Sequence, residues 1–322
     1  MKIFRKLIVT FCYKKWSIYG GRIVRVNKIF ISALIILIGV VVVSGLSSMF
    51  LSNNSLEAAK HFYFEKNLKR LSTFDQISIL ITLIIYGAKS TLLIILSIGI
   101  VQYLIAVPLG MYATNKDGLF KWIILSLNGF FSRIPPIISA IIFINLPFLL
   151  FSGSRYFWAI FILAFIGVGQ VSHRIYRESL EAYKTDLVMA GKKKGYRGYY
   201  LILYSVVPAV FPSIAQHFFK DLGKITMLLA QLGIFNILVT KSIEDKGHAF
   251  GELLNTDYNW TTMLGNTTKV IGHAPLAPLV PVIAFVLTIL LFNLMGESIR
   301  STKNKEESST IIQENHKAVK SL

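Results

Sequence analysis

Cysteine, acidic side chains and charge in general are scarce in this chain, and each shortage closes a class of function. A single cysteine, Cys12, in 322 residues excludes an intrachain disulfide and a thiolate metal cluster. The stretch "LIVTFC" is a poor lipid-attachment site because bulky Phe11 precedes the cysteine, which leaves a plain apolar residue as the simpler reading. Sequence patterns for a phosphate-binding loop, a zinc-protease helix (H-E-x-x-H) and a nucleophile elbow (G-x-S-x-G) are all missing. No internal repeat is visible. The six histidines, His61, His173, His217, His248, His273 and His316, are scattered without ligand spacing, so no metal site and no catalytic residue is assigned. Charged residues make up 16% of the chain, against roughly 25% in soluble domains.

What is present is apolar. Hydrophobic residues reach 54% and the mean hydropathy is +0.59, which places the chain in a membrane. Its net charge of +18 and pI of 9.9 would suit nucleic acid only on a basic face of a soluble domain, and the charges are not placed that way. Six apolar stretches are long enough to cross a hydrocarbon core as helices. They run over 29–51, 77–113 (interrupted by Lys89), 122–151 (with Pro135 and Pro136 inside), 156–170 reaching towards His173, 209–239 and 276–295.

Six crossings put both termini on one side, and basic residues choose it. Segments 1–28, 114–121, 174–208 and 300–322 hold twenty-two lysines and arginines; segments 52–76, 152–156 and 241–275 hold eight. Both termini are therefore expected in the cytoplasm, with 52–76 outside. The N-terminus "MKIFRKLIVTFCYKKW" lacks a small-residue cleavage site, and Lys14 and Lys15 end its apolar run early. It reads as a basic cytoplasmic lead-in to an uncleaved first helix over 29–51. The tail 300–322 is polar, mixed in charge and expected to be disordered.

A basic island, "MAGKKKGYRGYYLILYSVVP" (Met189 to Pro208), interrupts the apolar sequence. With the residues before it, the 174–208 segment has room for two short helices and a turn. Leu180, Tyr183 and Leu187, with Ala190 and Gly191, share a helical face. Small Ala190 and Gly191 and flexible Gly195 admit a close partner or a sharp turn. Pro208 is expected to stop the second helix as the chain returns to the membrane. For Lys192 to Lys194, topology and solvation are a sufficient explanation, and contact with acidic residues or anionic lipid is the other. A second polar island, "HFFKDLGKITMLLAQ", sets Lys220, Asp221 and Lys224 within the fifth stretch. Asp221 and Lys224 can pair at i, i+3. Either the cluster lines a pathway or gate, with Arg133 as a further partner for Asp221, or it sits at the interface where lysines snorkel.

Several stretches, in this order, resemble the inner-membrane permeases of ATP-binding-cassette (ABC) importers in the dipeptide/oligopeptide/nickel branch. "GAKSTLLIILSIGIVQYLIAVPLGMYA" (Gly87 to Ala113) looks like the start of the permease core, and "IPPIISAII" (Ile134 to Ile142) like its next span. In the cytoplasmic loop, Met189, Ala190, Gly191 and Gly195 occupy the family's E-A-A-x-x-x-G motif. Val206, Val207 and Pro208 stand where its I-x-L-P ending belongs. "NWTTMLGNTTKVIGHAPLAPLVPVIAFVLTILLFNLMGESIR" (Asn259 to Arg300) is similar to the family's last segment, in the form found in the second, C-type permease subunit. Met189 replaces the motif's glutamate and Glu297 an aspartate near the end.

The resemblance covers roughly 74–300 and implies an all-α integral membrane protein: a MetI-like permease core at 77–299 behind an extra N-terminal helix. It implies that the 174–208 loop, through Met189, Ala190, Gly191, Gly195 and Pro208, docks on two separate cytoplasmic ATPases that bind the ATP and Mg. This chain would then hold no cofactor and catalyse nothing. Further implied partners are a second permease subunit in a heterodimer, an extracytoplasmic binding protein and the bilayer of the cytoplasmic (inner) membrane, with no nucleic acid. The cargo would be a peptide, nickel or another metal chelate. An ion-gradient-driven secondary transporter is the alternative, although such proteins often show inverted repeats. A membrane enzyme would have only Lys220, Asp221 and Lys224 to work with.

Overall fold

The computed structural model describes residues 28–50, 73–115, 118–150, 152, 154–237, 241–244, 252–255, 259–270 and 277–320. Cys12, His61, His248, His273 and the expected 52–76 loop, apart from its last residues, lie outside them. The described chain is helical apart from one two-stranded antiparallel hairpin, β1 (Lys241–Glu244) with β2 (Glu252–Asn255). Among the described residues, five helices are long and apolar enough to cross a membrane, or six if a bent pair counts as one span. It is a multi-pass membrane protein.

The first helix, α1 (Lys28–Phe50), holds no charge after its first residue, and most of its apolar side chains face outward, as lipid contact requires. Ser44 ties it to the next helix, donating to the Tyr86 carbonyl at 3.1 Å and accepting from the Lys89 amide at 3.0 Å. That next helix, α2 (Thr73–Asn115), is the longest in the bundle and runs unbroken through Pro108.

The third apolar stretch is not the single span that its length suggests. It forms α3 (Leu119–Phe131) and α4 (Pro136–Ile144), bent by 96° at the break. Proline disfavours helical backbone in the residue before it, so Pro135, preceding Pro136, is held extended at φ −54°, ψ 132°. Pro136 then opens α4, where a missing N–H costs nothing. A single turn, α5 (Pro147–Leu150), follows.

Helix α6 (Arg155–Ala182) continues well past the expected end of the fourth span, because "HRIYRESLEA" is made of good helix formers. After a turn at 183–185 comes α7 (Asp186–Lys193). Then α8 (Gly198–Leu201), a π-helical turn (Ile202–Val206) and α9 (Val207–Ile234) form one continuous rod. Pro208 therefore does not stop a helix. The π turn before it absorbs the missing N–H and the clash with the preceding carbonyl. Beyond the hairpin, α10 (Trp260–Val270) is capped by Asn259, whose Oδ1 accepts from the Thr262 amide at 2.9 Å. The last helix, α11 (Leu279–Lys320), carries on through the tail that its polar composition led us to expect disordered.

Glycines set the closest helix crossings, as they do where packing rather than the hydrophobic effect joins helices in lipid. A Cβ on Gly110 of α2 would stand 2.7 Å from the Ser172 carbonyl of α6, and one on Gly169 of α6 would stand 2.7 Å from the Leu127 carbonyl carbon of α3. At the hairpin end, Trp260 donates through its amide to Thr91 Oγ1 at 3.0 Å and through Nε1 to the Ile84 carbonyl at 2.8 Å. Its ring meets Phe285 edge-on at 5.6 Å. At the opposite end, Ala106, Met111, Val171 and Ile175 pack with Val188, Leu201 and Val206 in a second core that seats α7 on the bundle.

Candidate functional site

Two features stand out at the α7 end, and the first is a buried carboxylate. Asp221 lies on the inward face of α9 and is 4% exposed. Three elements satisfy it: Tyr103 of α2 donates its hydroxyl to Oδ2 at 2.7 Å, Arg174 of α6 donates Nη1 to the same oxygen at 2.9 Å, and Lys224 donates to Oδ1 at 3.0 Å. A lone carboxylate at that depth would be held in its charged form only at great cost, and these donors offset it. Lys224 itself is exposed over 66% of its side chain and Arg174 over 25%, so the carboxylate is sealed while its cations face an opening.

That opening is a cleft of about 370 Å³ between α6, α9 and α11, lined by Arg174, His217, Lys220, Lys224 and Asn293 among others. Two more polar contacts between helices frame it. His217 Nε2 lies 2.8 Å from Glu178 Oε1, joining α9 to α6, and Lys220 pairs with Glu297 of α11. The lining carries more positive than negative charge. Among the described residues, no group of three His, Cys, Asp or Glu side chains could hold a metal ion.

Spacing in the sequence gave the Asp221 and Lys224 pair, and the structure brings the two together. It does not bring in Arg133. That residue is exposed in the bend between α3 and α4, away from Asp221, whose guanidinium partner is Arg174. Arg174, Tyr103, Glu178 and His217 were missed. The first was assigned to the loop because α6 was expected to end near it. In hindsight, the i, i+4 spacing of Arg174 and Glu178 on a run of helix formers was a usable hint.

The second feature is α7, a two-faced helix eight residues long. Val188 and Gly191 face the bundle and are buried; Met189, Ala190, Lys192 and Lys193 face outward. The expected face of Leu180, Tyr183, Leu187, Ala190 and Gly191 is therefore split: Gly191 is buried and Tyr183 packs on the second core, whereas Leu180 lies exposed on α6 and Ala190 faces outward, because α7 begins a new helix with its own phase. Gly191 is small for a reason internal to the chain, since a Cβ there would fall 2.1 Å from Ser205 Oγ of the π turn. Gly195 serves conformation, with φ +84° and nothing within 4 Å of a Cβ. It ends α7 in a Schellman pattern: the Tyr196 amide donates to Gly191 O at 3.1 Å and the Gly195 amide to Lys192 O at 3.0 Å. Asp186 in the first turn and Lys192 and Lys193 in the last complement the helix dipole.

No protein-family model matches this chain, and no curated protein matches it either.

Proposed function

We propose that this chain is the membrane-spanning permease subunit of an ABC importer of the dipeptide/oligopeptide/nickel type, with a MetI-like core behind an additional N-terminal helix. The observation that carries the reading is α7. A short helix seated by its inner face on the start of the α8–α9 rod, with its outer face open, is a fitting lever between a soluble motor and a membrane bundle. Its placement within the segment that resembles the family's coupling loop supports the same reading. Val188 and Gly191 transmit the movement, and Met189 and Ala190 meet the motor.

In this account both termini and α7 lie in the cytoplasm, and two separate ATPases bind ATP and Mg and dock on α7. A second permease subunit completes the pathway, and an extracytoplasmic binding protein delivers a peptide or a metal chelate. The cleft at Asp221 lies on the cytoplasmic half of that pathway and acts as its gate. A sealed carboxylate ringed by donors also suits an ion-gradient-driven transporter, and one experiment separates the two. Uptake is measured in vesicles carrying the assembled system, with ATP or with an imposed ion gradient. ATP-dependent uptake that Ala190→Trp abolishes, with the permease still inserted, is expected. Uptake driven by the gradient without ATP contradicts the proposal.

A further inference from the structure

The outer edge of the rod that follows α7 carries a row of aromatic and basic side chains that the coupling reading does not use. Tyr199, Tyr200, Leu203 and Tyr204 are exposed, Tyr200 over 62% of its surface. Their rings are ordered against one another. Tyr200 and Tyr204 stack with an interplanar angle of 4° at 6.2 Å, Tyr196 leans on Tyr204 at 5.9 Å, and Tyr199 meets Tyr200 at 6.2 Å. Lys192, Lys193, Lys194 and Arg197 are exposed immediately before them.

The row stands at the start of a helix long and apolar enough to cross a membrane. The apolar span on this rod starts at Gly198, so the tyrosines occupy its first turns and the cations lie just beyond it. Other exposed aromatics fall at the same end of the bundle, where α2 passes to α3: Tyr112, Phe120 and Trp122, the last 67% exposed. Tyr156, Phe157 and Trp158 are exposed at the far end, at the start of α6. Between Trp158 and Glu178, α6 covers roughly 30 Å at 1.5 Å per residue, which is a hydrocarbon thickness. Tyrosine and tryptophan at both edges of such a slab are the signature of headgroup contact.

We infer that this row, Lys192 to Lys194, Arg197, Tyr199, Tyr200 and Tyr204, is a binding surface for anionic phospholipid headgroups of the leaflet it faces. The cations complement the headgroup charge while the rings sit at headgroup depth. The π turn couples the surface to α7. Its outward residues are Leu203 and Tyr204; its inward residues Ile202, Ser205 and Val206 are buried, and Ser205 lies against Gly191. Lipid held on the outside therefore fixes the wall on which α7 rests. The inference needs no motor protein and stands apart from the importer reading.

The test is hydrogen exchange on the full-length protein in nanodiscs of phosphatidylcholine alone or mixed with phosphatidylglycerol, read over 186–206. The four cations are replaced in one variant (Lys192→Gln, Lys193→Gln, Lys194→Gln, Arg197→Gln) and the rings in another (Tyr200→Ala, Tyr204→Ala). All six side chains are exposed, so folding is expected to survive, and thermal melting in detergent checks it. A basic side chain near an anionic surface strengthens association roughly fivefold, so exchange in the wild type should slow at least that much when anionic lipid is added. The four-cation variant should lose the difference between the two lipids, and the tyrosine variant should exchange faster in both. Equal exchange of the wild type in the two lipids, or an anionic effect that persists in the four-cation variant, overturns the inference. So does protection that appears only when a soluble protein partner is added, which would make the row a protein interface.

Discussion

Arg174 reaches Asp221 across 47 positions of sequence, its Nη1 donating to Oδ2 at 2.9 Å, and so joins α6 to α9 inside the bundle. Removing one partner of a buried ion pair costs about 3–5 kcal/mol because the other charge is left uncompensated. Asp221→Ala is therefore expected to lower the melting temperature most, since it strands Arg174 and Lys224 together. Arg174→Met should follow, and Lys224→Ala should cost least because that side chain is mostly exposed. The double variant Asp221→Ala, Arg174→Met should recover part of the loss, and Arg133→Ala should be silent. Thermal melting of the purified protein in detergent checks the ranking; equal losses at Asp221 and Arg133 would refute it.

Tyr103→Phe isolates the third partner of the same carboxylate. A hydrogen bond to a charged group contributes about 1.5–3 kcal/mol, and phenylalanine keeps the ring that meets Phe218 edge-on at 5.0 Å. The expected result is a loss in that range with uptake reduced, and it should shrink in an Asp221→Asn background, where the acceptor is no longer charged. A double-mutant cycle on melting temperature measures it.

The contact between Gly191 and Ser205 yields a prediction of opposite sign for a pair. Gly191→Ala places a methyl where Ser205 Oγ now sits, and overpacking costs about 1–3 kcal/mol. Ser205→Ala alone should be nearly neutral. Combined with Gly191→Ala it should restore stability and the protection of α7 from proteolysis. Failure of Ser205→Ala to help would mean that the helix is not seated on the π turn.

At the hairpin end, Trp260→Ala removes the indole hydrogen bond to the Ile84 carbonyl and the Phe285 contact of a residue that is 4% exposed, while its amide can still donate to Thr91. A loss of about 3–5 kcal/mol is expected, as for other buried aromatics. By contrast, Lys220→Ala should cost about 0–1 kcal/mol, because both members of its pair with Glu297 are partly exposed. Expression level and melting temperature of the two variants decide the contrast.

Much of the spanning architecture was legible because hydrocarbon thickness imposes long apolar runs, and α1, α2 and α11 fall where those runs lie. Local chemistry was legible in part: the spacing of Asp221 and Lys224 announced a pair, whereas Pro135 and Pro136 were read inside a single span and their bend was not foreseen. The partners of Asp221 on other helices were not, since Tyr103, Arg174 and Asp221 come together only through packing. The smallness of Gly191 was visible while its cause was not. Sequence suggested a partner's backbone, whereas Ser205 of the same chain occupies the space. Helix lengths erred where polar helix formers continued an apolar run, as in α6 beyond His173 and in α11 beyond Arg300. Apolar content marks where the membrane ends, and propensity decides where the helix does.

The account's central claim is that the outer face of α7 docks on a separate ATPase. The most direct measurement places a photo-cross-linking amino acid at Ala190 in the full-length protein, in native membranes with its partners present, and identifies the adduct by mass spectrometry. The account expects a cross-link to a soluble protein that carries a phosphate-binding loop. The yield should change when ATP is added, and the same probe at Tyr200 should capture lipid instead. A chain that transports while its Ala190 probe captures no ATPase would contradict it.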